Sequence, residues 1–474
     1  MKIRKSIPLI ILCMSALGAA KLTAQPVRVT QSTEGEYWKS TGRELTREPD
    51  PSLPVISLER NYEQIIDGFG ACFNELGWEA FEMLPAKQRN ELMAEFFSPE
   101  GFNFSICRMP IGANDYARNF YSHNYVEDDF AMKHFNIDRD RTALVPYIKM
   151  ARQYNPGLAV WASPWCPPVW MKTNHHYACR PGDQNDLEEE QAGGENSTQF
   201  IMEPDYLEAY ARYFVKFIRA YANEGIPLYA VHVQNEPNSC QVFPSCIWTS
   251  EDLATFIGDY LGPAFDTAGL DTEIWLGTIE RPSVEKVDTV LHHPRAGNYI
   301  RGVGFQWAGK KAIPGVHRKY PEMPLMQTES ECGDGSNDWV AAEYTWSLIR
   351  HYLENGANSY LYWNMILDET GRSRWGWKQN SLVSVDSKTG AFTRNPEFYL
   401  FRHLTHFVQP GARKLQTPAG AGEALLFENP DGQLVLLAVN TTGKEVKRQF
   451  RIRRNGYLQI DVEPHSFQTV VVQE

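Results

Sequence analysis

"YAVHVQNEPNSC", residues 229–240, carries a largely apolar, β-branched run straight into an acid followed by proline. A short apolar run of this kind is what a strand covered on both faces of a parallel sheet requires. Seven more recur along the chain: "IIDGFG" (65–70), "FSICRMPIG" (104–112), "LAVWASPW" (158–165), "TEIWLGT" (272–278), "GVGFQW" (302–307), "PLMQTE" (324–329) and "NSYLYWNM" (358–365). Segments with helical spacing lie between them, at 85–97, 138–154, 205–224, 251–268 and 338–355. In the third of these Leu207, Tyr210, Phe214, Phe217 and Tyr221 recur every three or four residues and Gly225 closes the segment, so the stripe is read as core. Strands alternating with helices place the chain in the α/β class. Eight units predict a closed (β/α)8 TIM barrel over 65–408, and an open dinucleotide-binding sheet is disfavoured because "GFGACFNELG" lacks the glycine spacing of that loop.

The two ends of the chain read differently. Residues 409–474 alternate apolar and polar in "EALLFENPDGQLVLLAVNTTG", "KRQFRIRR" and "FQTVVVQE", with Asp431-Gly432 as a hairpin turn. Residues 27–64 alternate as well, so an appended antiparallel β-sandwich built from N-terminal and C-terminal segments is expected. A polar stretch at 172–203, rich in Asp, Glu, Gln, Gly and Asn, is expected to form a loop above the barrel mouth.

Charge and targeting narrow the function. The 474-residue chain has a formal net charge of −12. Residues 1–24 read as a secretory signal peptide, with Lys2, Arg4 and Lys5 before an apolar stretch and Ala24 near its end. The expected destination is periplasmic, extracellular or cell-surface, and Cys13 leaves a lipid-anchored form weakly signalled. No later run approaches the ~20 apolar residues of a span, so stable membrane insertion is not expected. The acidic balance disfavours nucleic acid and polyanionic substrates, which need clustered positive charge. Besides Cys13 the cysteines are Cys72, Cys107, Cys166, Cys179, Cys240, Cys246 and Cys332, with no CxxC pair. Cys240 with Cys246, or Cys166 with Cys179, are close enough in sequence to bridge in an oxidising compartment. His175-His176 and His292-His293 lack an HExxH frame, and no metal or cofactor is expected.

Reactive side chains of such a barrel sit at the C-terminal ends of its strands. Glu236 closes the fourth run and Glu329 the seventh. Glycoside hydrolysis needs two facing carboxyl groups, one to protonate the leaving oxygen and one to attack or to activate water. A lone strand-terminal Glu is more often a salt-bridge partner; two in matching positions favour the pair.

Five motifs, "DGFGACF" (67–73), "SPWCPPVWMKTN" (163–174), "VQNEPN" (233–238), "MQTESECG" (326–333) and "YWNM" (362–365), occur in this order. From about Tyr62 onward the chain resembles glycoside hydrolase family 30, the glucosylceramidase-like retaining β-glycosidases of clan A. The resemblance implies a barrel fused to a β-sandwich made from both chain ends, with Glu236 as acid/base and Glu329 as nucleophile. Glu331 lies two residues on and would share a face with Glu329 in a strand; Glu329 is preferred because it directly ends the apolar run. Asn235 would hydrogen-bond the sugar 2-hydroxyl. Arg108, placed at the end of the second strand, would orient and charge-balance the nucleophile or else brace the barrel floor. Asp115 would contact hydroxyls of the first sugar, or cap a helix. Trp165 and Trp363 would wall the same subsite, and Gln306-Trp307 ends the sixth strand where some relatives carry His-Trp; an indole face stacks on a pyranose while its N–H donates.

The substrate is then a β-glucan or another β-glycoside. The "MQTESECG" form and the acidic, exported chain favour the β-1,6-glucanase branch. Glucosylceramidase and β-xylosidase or xylanase activities are the alternatives within the family, and no basic cluster is evident for a glucuronoxylanase. A non-catalytic carbohydrate-binding protein on the same scaffold is the alternative from another class, and the presence of both acids argues against it.

Overall fold

Each of the eight runs overlaps a strand. In the computed structural model, which describes residues 26–452 and 456–473, they are β1 (Gly68–Cys72), β2 (Ile106–Ile111), β3 (Ala159–Pro164), β4 (Leu228–His232), β5 (Glu273–Ile279), β6 (Ile300–Gln306), β7 (Leu325–Glu329) and β8 (Ala357–Asn364). They close in chain order into one barrel, β8 pairing in parallel with β1. The helix Pro204–Asn223 buries the stripe read from the sequence, with Pro204 in its first turn, where a missing N–H costs nothing. Gly225, at φ +79°, turns the chain toward β4. Segment 251–268 differs from a plain α-helix: Phe256–Leu261 is π-helical between two α-helical stretches. Pro263 follows it and has no N–H to close an α-turn onto Asp259, so the widening lies where the ladder is interrupted.

Ile106, Trp161, Ala230, Trp275, Met326 and Leu361 fill the lower interior of the barrel. The His232 ring stacks between Trp161 (3.9 Å) and Trp275 (5.3 Å), neither ring nitrogen has a hydrogen-bond partner, and burial drives its pKa well below the usual histidine value. Arg108 is mid-strand in β2, not at its end as the sequence suggested. It stands two residues after Ile106 and therefore on the same inward face.

The second domain has two sheets. The larger runs Glu36–Glu44, Pro26–Thr33, Ser466–Val472, Leu434–Asn440, Ala424–Glu428, Arg413–Leu415, Tyr62–Ile65; the smaller runs Gly456–Val462, Val446–Ile452, Val55–Ser57. Strands from both chain ends are thus interleaved, with Val27 opposite Val472. Val29, Leu426, Leu436, Phe450, Ile460 and Val470 lie in its core. One pair, Val55–Ser57 with Val446–Ile452, is parallel, a departure from the expected antiparallel pattern. Gly432, at φ +83°, makes the expected turn and donates to Asn429 O at 2.9 Å.

The cysteine expectation is corrected. Cys166, Cys179, Cys240 and Cys246 are all free thiols among the described residues. Cys179 Sγ donates to Gln199 Oε1 and Cys240 Sγ to Cys179 O, so neither points at the partner the spacing suggested. The signal peptide and Cys13 lie outside the described residues.

Candidate active site

A cavity of about 600 Å³ opens at the C-terminal ends of the barrel strands, within the range of small-ligand sites. Glu236 and Glu329 both line it. Glu329 is the last residue of β7. Glu236 lies beyond the end of β4, because the regular ladder stops at His232. The segment between is held irregularly: Gln234 N donates to Gly277 O at 3.2 Å, Asn235 N to Pro164 O at 2.8 Å and Glu236 N to Thr278 O at 3.2 Å. Glu236 and Trp307 have φ of +47° and +46°, a left-handed conformation that costs a non-glycine residue about 1–2 kcal/mol. Such strain collects where a side chain must be aimed against local preference.

One amide, that of Gln306, bonds both acids. Gln306 Nε2 donates to Glu236 Oε1 at 3.0 Å and to Glu329 Oε2 at 3.2 Å. Those two oxygens are therefore no farther apart than the two bond lengths laid end to end. Glu329 also accepts from Arg108 Nη1 at 2.9 Å and from Trp307 Nε1 at 3.1 Å. Asn235 Oδ1 takes bonds from Arg108 Nη2 (2.6 Å), Thr278 Oγ1 (3.0 Å) and Gln306 Nε2 (3.3 Å), which leaves its amide nitrogen as the group available to an occupant. Arg108 is fully buried, binds Ser163 Oγ as well, and lies 4.4, 5.0 and 5.3 Å from the ring centres of Trp165, Trp161 and Trp363. A guanidinium so enclosed is compatible with burial because Glu329 supplies the countercharge and neutral acceptors take its other N–H groups.

Burial raises the pKa of both acids. For Glu329, which reaches about 7, the Arg108 charge pulls down and the Glu236 charge pushes up. Glu236 has no cation bonded to it, and Arg281 and Arg108 lower its pKa only through space, whereas Arg108 bonds Glu329 directly. We therefore place the charge of the pair on Glu329 and the proton on Glu236.

Asp115, Trp165, Asn235 and Trp307 line the cavity with the two acids. Arg108, Gln306 and Trp363 do not: the first two sit beneath the carboxylates, and Trp363 backs Trp165 in an offset stack at 5.6 Å. Asp115 begins no helix, against the capping alternative, and its Oδ1 is buried without a partner. Burial, followed by the charge of Glu329, raises its pKa well above the usual range. Glu331 faces away from the cavity into a salt bridge with Lys310 and a 2.6 Å bond from the Tyr344 hydroxyl, because β7 ends at Glu329 and the strand alternation does not reach it.

Glu280 joins the site without having been expected from the sequence. It follows β5 directly, is buried, and lines the cavity beside Arg281. The signal was present, since "IWLGTIE" is another apolar run closed by an acid. Arg180, Gln241, Phe243 and Trp377 also line the cavity but come from loops without periodicity.

Comparison with known proteins agrees with this architecture. The family model for the glycosyl hydrolase family 30 TIM-barrel domain matches residues 66–408, and that for the family 30 beta sandwich domain matches 423–470. The chain is 30% identical over 448 residues to putative glucosylceramidase 1 of Caenorhabditis elegans, covering 88% of this chain and 83% of that protein. It is 28% identical over 419 residues to the endo-1,6-beta-D-glucanase neg1 of Aspergillus fumigatus, covering 83% and 82%. The solved structure of SrfJ from Salmonella typhimurium superposes with a TM-score of 0.85 at 23% identity, covering 95% of this chain and all of that one, which shows the shared fold.

Proposed function

The chain belongs to glycosyl hydrolase family 30, and from that premise we propose that it is an exported, retaining β-glycosidase whose substrate is a β-1,6-linked glucan. The observation that carries the mechanism is the Gln306 amide shared by Glu236 and Glu329. It ties one oxygen of each carboxyl group to a single NH2, and so close an approach supports the covalent glycosyl-enzyme route over the carboxyl spacing of about 6.5–9.5 Å that admits a water in an inverting enzyme.

In that route protonated Glu236 donates to the glycosidic oxygen as the C–O bond breaks, and the Glu329 carboxylate attacks the anomeric carbon from the other face. Glu236, now ionised, takes a proton from water, which displaces Glu329 and releases the sugar with net retention. Arg108, Trp307 and Gln306 hold the attacking carboxylate in its ionised form and fixed orientation. Consumption of the Glu329 charge in the first half lowers the Glu236 pKa for the second.

The substrate reading is supported by the glucanase relative and by the polar wall around Glu236, where Ser239, Gln241, Glu280, Arg281 and Arg180 suit a sugar leaving group. A glucosylceramide substrate is the second reading, favoured by the glucosylceramidase relative and by the apolar Phe243–Trp377 contact on the same cavity. Products from β-1,6-glucan, glucosylceramide and β-xylan decide between them: gluco-oligosaccharides from the first, formed with β-configuration at the new reducing end by NMR, are expected. An α-configured first product would refute retention, and turnover of glucosylceramide alone would refute the glucanase reading. Export is supported by the leader at residues 1–24, and a mature N-terminus near Gln25 is the corresponding measurement.

Arg108→Met tests the electrostatic argument. The Arg108 charge lowers the Glu329 pKa, so its removal raises that pKa further above about 7. Activity that needs ionised Glu329 is then lost at a higher pH, and the acidic limb of the kcat/KM profile moves to the alkaline side. Leaving Glu329 buried without its cation also destabilises the fold by about 3–5 kcal/mol. An unmoved acidic limb in a folded variant would contradict the assigned role of Arg108.

A further inference from the structure

Glu280 plays no part in the two-acid route, yet it stands at the end of β5, the strand next to β4 and Glu236. Its Oε1 accepts the Asn238 backbone N–H at 2.9 Å, and Arg281 Nη1 is 3.8 Å from the same oxygen. Its Oε2 is buried without any partner. A carboxyl oxygen buried without a bond is costly, and in a wall lining a cavity it marks the place where an occupant's polar group restores the missing bond.

The cavity is polarised about the two acids. Asp115 stands after β2, three strands round the barrel from β5, and the charges of Glu329 and Glu236 both raise its pKa. Glu280 lies on the Glu236 side, where Glu236 is the acid that acts on it. Glu236 faces the departing oxygen in the proposed mechanism, so the space beyond it toward Glu280 receives the leaving group.

We propose that Glu280 is the recognition residue for a sugar leaving group, its Oε2 bonding a hydroxyl of the unit released in the first step. This rests on the β-glycosidase reading of the site. Burial and the neighbouring Glu236 charge push the Glu280 pKa up to about 8, so at neutral pH the group is a neutral carboxyl. In that form it donates to a hydroxyl oxygen and adds no further anion beside the catalytic pair. A site built to bond a hydroxyl discriminates against leaving groups that lack one.

The experiment compares kcat/KM on a β-1,6-linked gluco-oligosaccharide with kcat/KM on nitrophenyl β-glucoside, whose leaving group offers no sugar hydroxyl. Glu280→Met is expected to lower the first about tenfold or more beyond any change in the second, the scale of one lost hydrogen bond to a buried group. Glu280→Gln keeps an acceptor for Asn238 and a donor for the hydroxyl, and is expected to restore the oligosaccharide rate to within about threefold of wild type. Equal losses on both substrates in Glu280→Met would overturn the proposal and make Glu280 a support for Glu236. Failure of the wild type itself on every gluco-oligosaccharide, with the aryl glucoside still cleaved, would overturn the substrate reading together with this one.

Discussion

Changing Glu329 to glutamine is expected to lower kcat on every β-glucoside by on the order of 10⁴-fold or more, the scale on which loss of an enzymic nucleophile acts. The amide has the volume of the carboxylate but no charge with which to attack. It also cannot accept from Arg108, Gln306 and Trp307 together, since the NH2 group that replaces one oxygen faces donors. Substrate binding is expected to survive, because the cavity walls at Trp165, Asn235 and Asp115 are untouched. Glu331→Gln is the control. That carboxylate pairs with Lys310 and Tyr344 away from the cavity, and loss of a partly exposed pair changes kcat by less than about fivefold. Pre-steady-state release of dinitrophenol from dinitrophenyl β-glucoside distinguishes the two, with no burst from Glu329→Gln and a normal burst from Glu331→Gln. If the two variants exchanged these behaviours, the nucleophile would be Glu331.

Glu236→Ala is expected to divide its effect by leaving group. On β-1,6-glucan, whose departing oxygen needs a proton, kcat/KM falls by about 10²–10⁴-fold, the contribution of a positioned general acid. On dinitrophenyl β-glucoside, which leaves as a stable anion, the first step survives and the second slows for want of a base. The glycosyl-enzyme then accumulates. Azide, which needs no deprotonation and fits the space of the missing carboxyl, should accelerate turnover and yield β-glucosyl azide. Recovery of the α-azide would show that no covalent intermediate forms at Glu329.

The barrel was legible because each strand is built mostly of apolar residues and is separated from the next by a helix or long loop, a pattern that local sequence carries. The composite sandwich was legible from period-two alternation at both ends. Side-chain placement was less so. Arg108 reads as a strand-end residue because polar groups rarely stand mid-strand in a barrel, and the Glu329 carboxylate, the neutral acceptors around it and three indoles together make that position tolerable. The aim of Glu236 depends on a left-handed φ that no propensity signals. Asp115 was open between cap and contact because the sequence does not show that the loop after β2 forms no helix. The bridging by Gln306 joins the ends of β6 and β7 to the segment after β4, 70 residues earlier in the chain, a meeting that only the closed barrel produces.

The interleaved sandwich sets an order of events during synthesis. Pro26–Thr33 leaves the ribosome among the first strands, with only Glu36–Glu44 beside it, and a two-stranded hairpin is at best marginally stable in water. Its second neighbour, Ser466–Val472, is translated more than 400 residues later. The barrel can assemble in the interval, since all eight of its strands emerge before residue 365, whereas the hairpin waits with one flank open. A chain lacking Ser466–Val472 would therefore have every catalytic group made and an unsealed strand offered to the next chain.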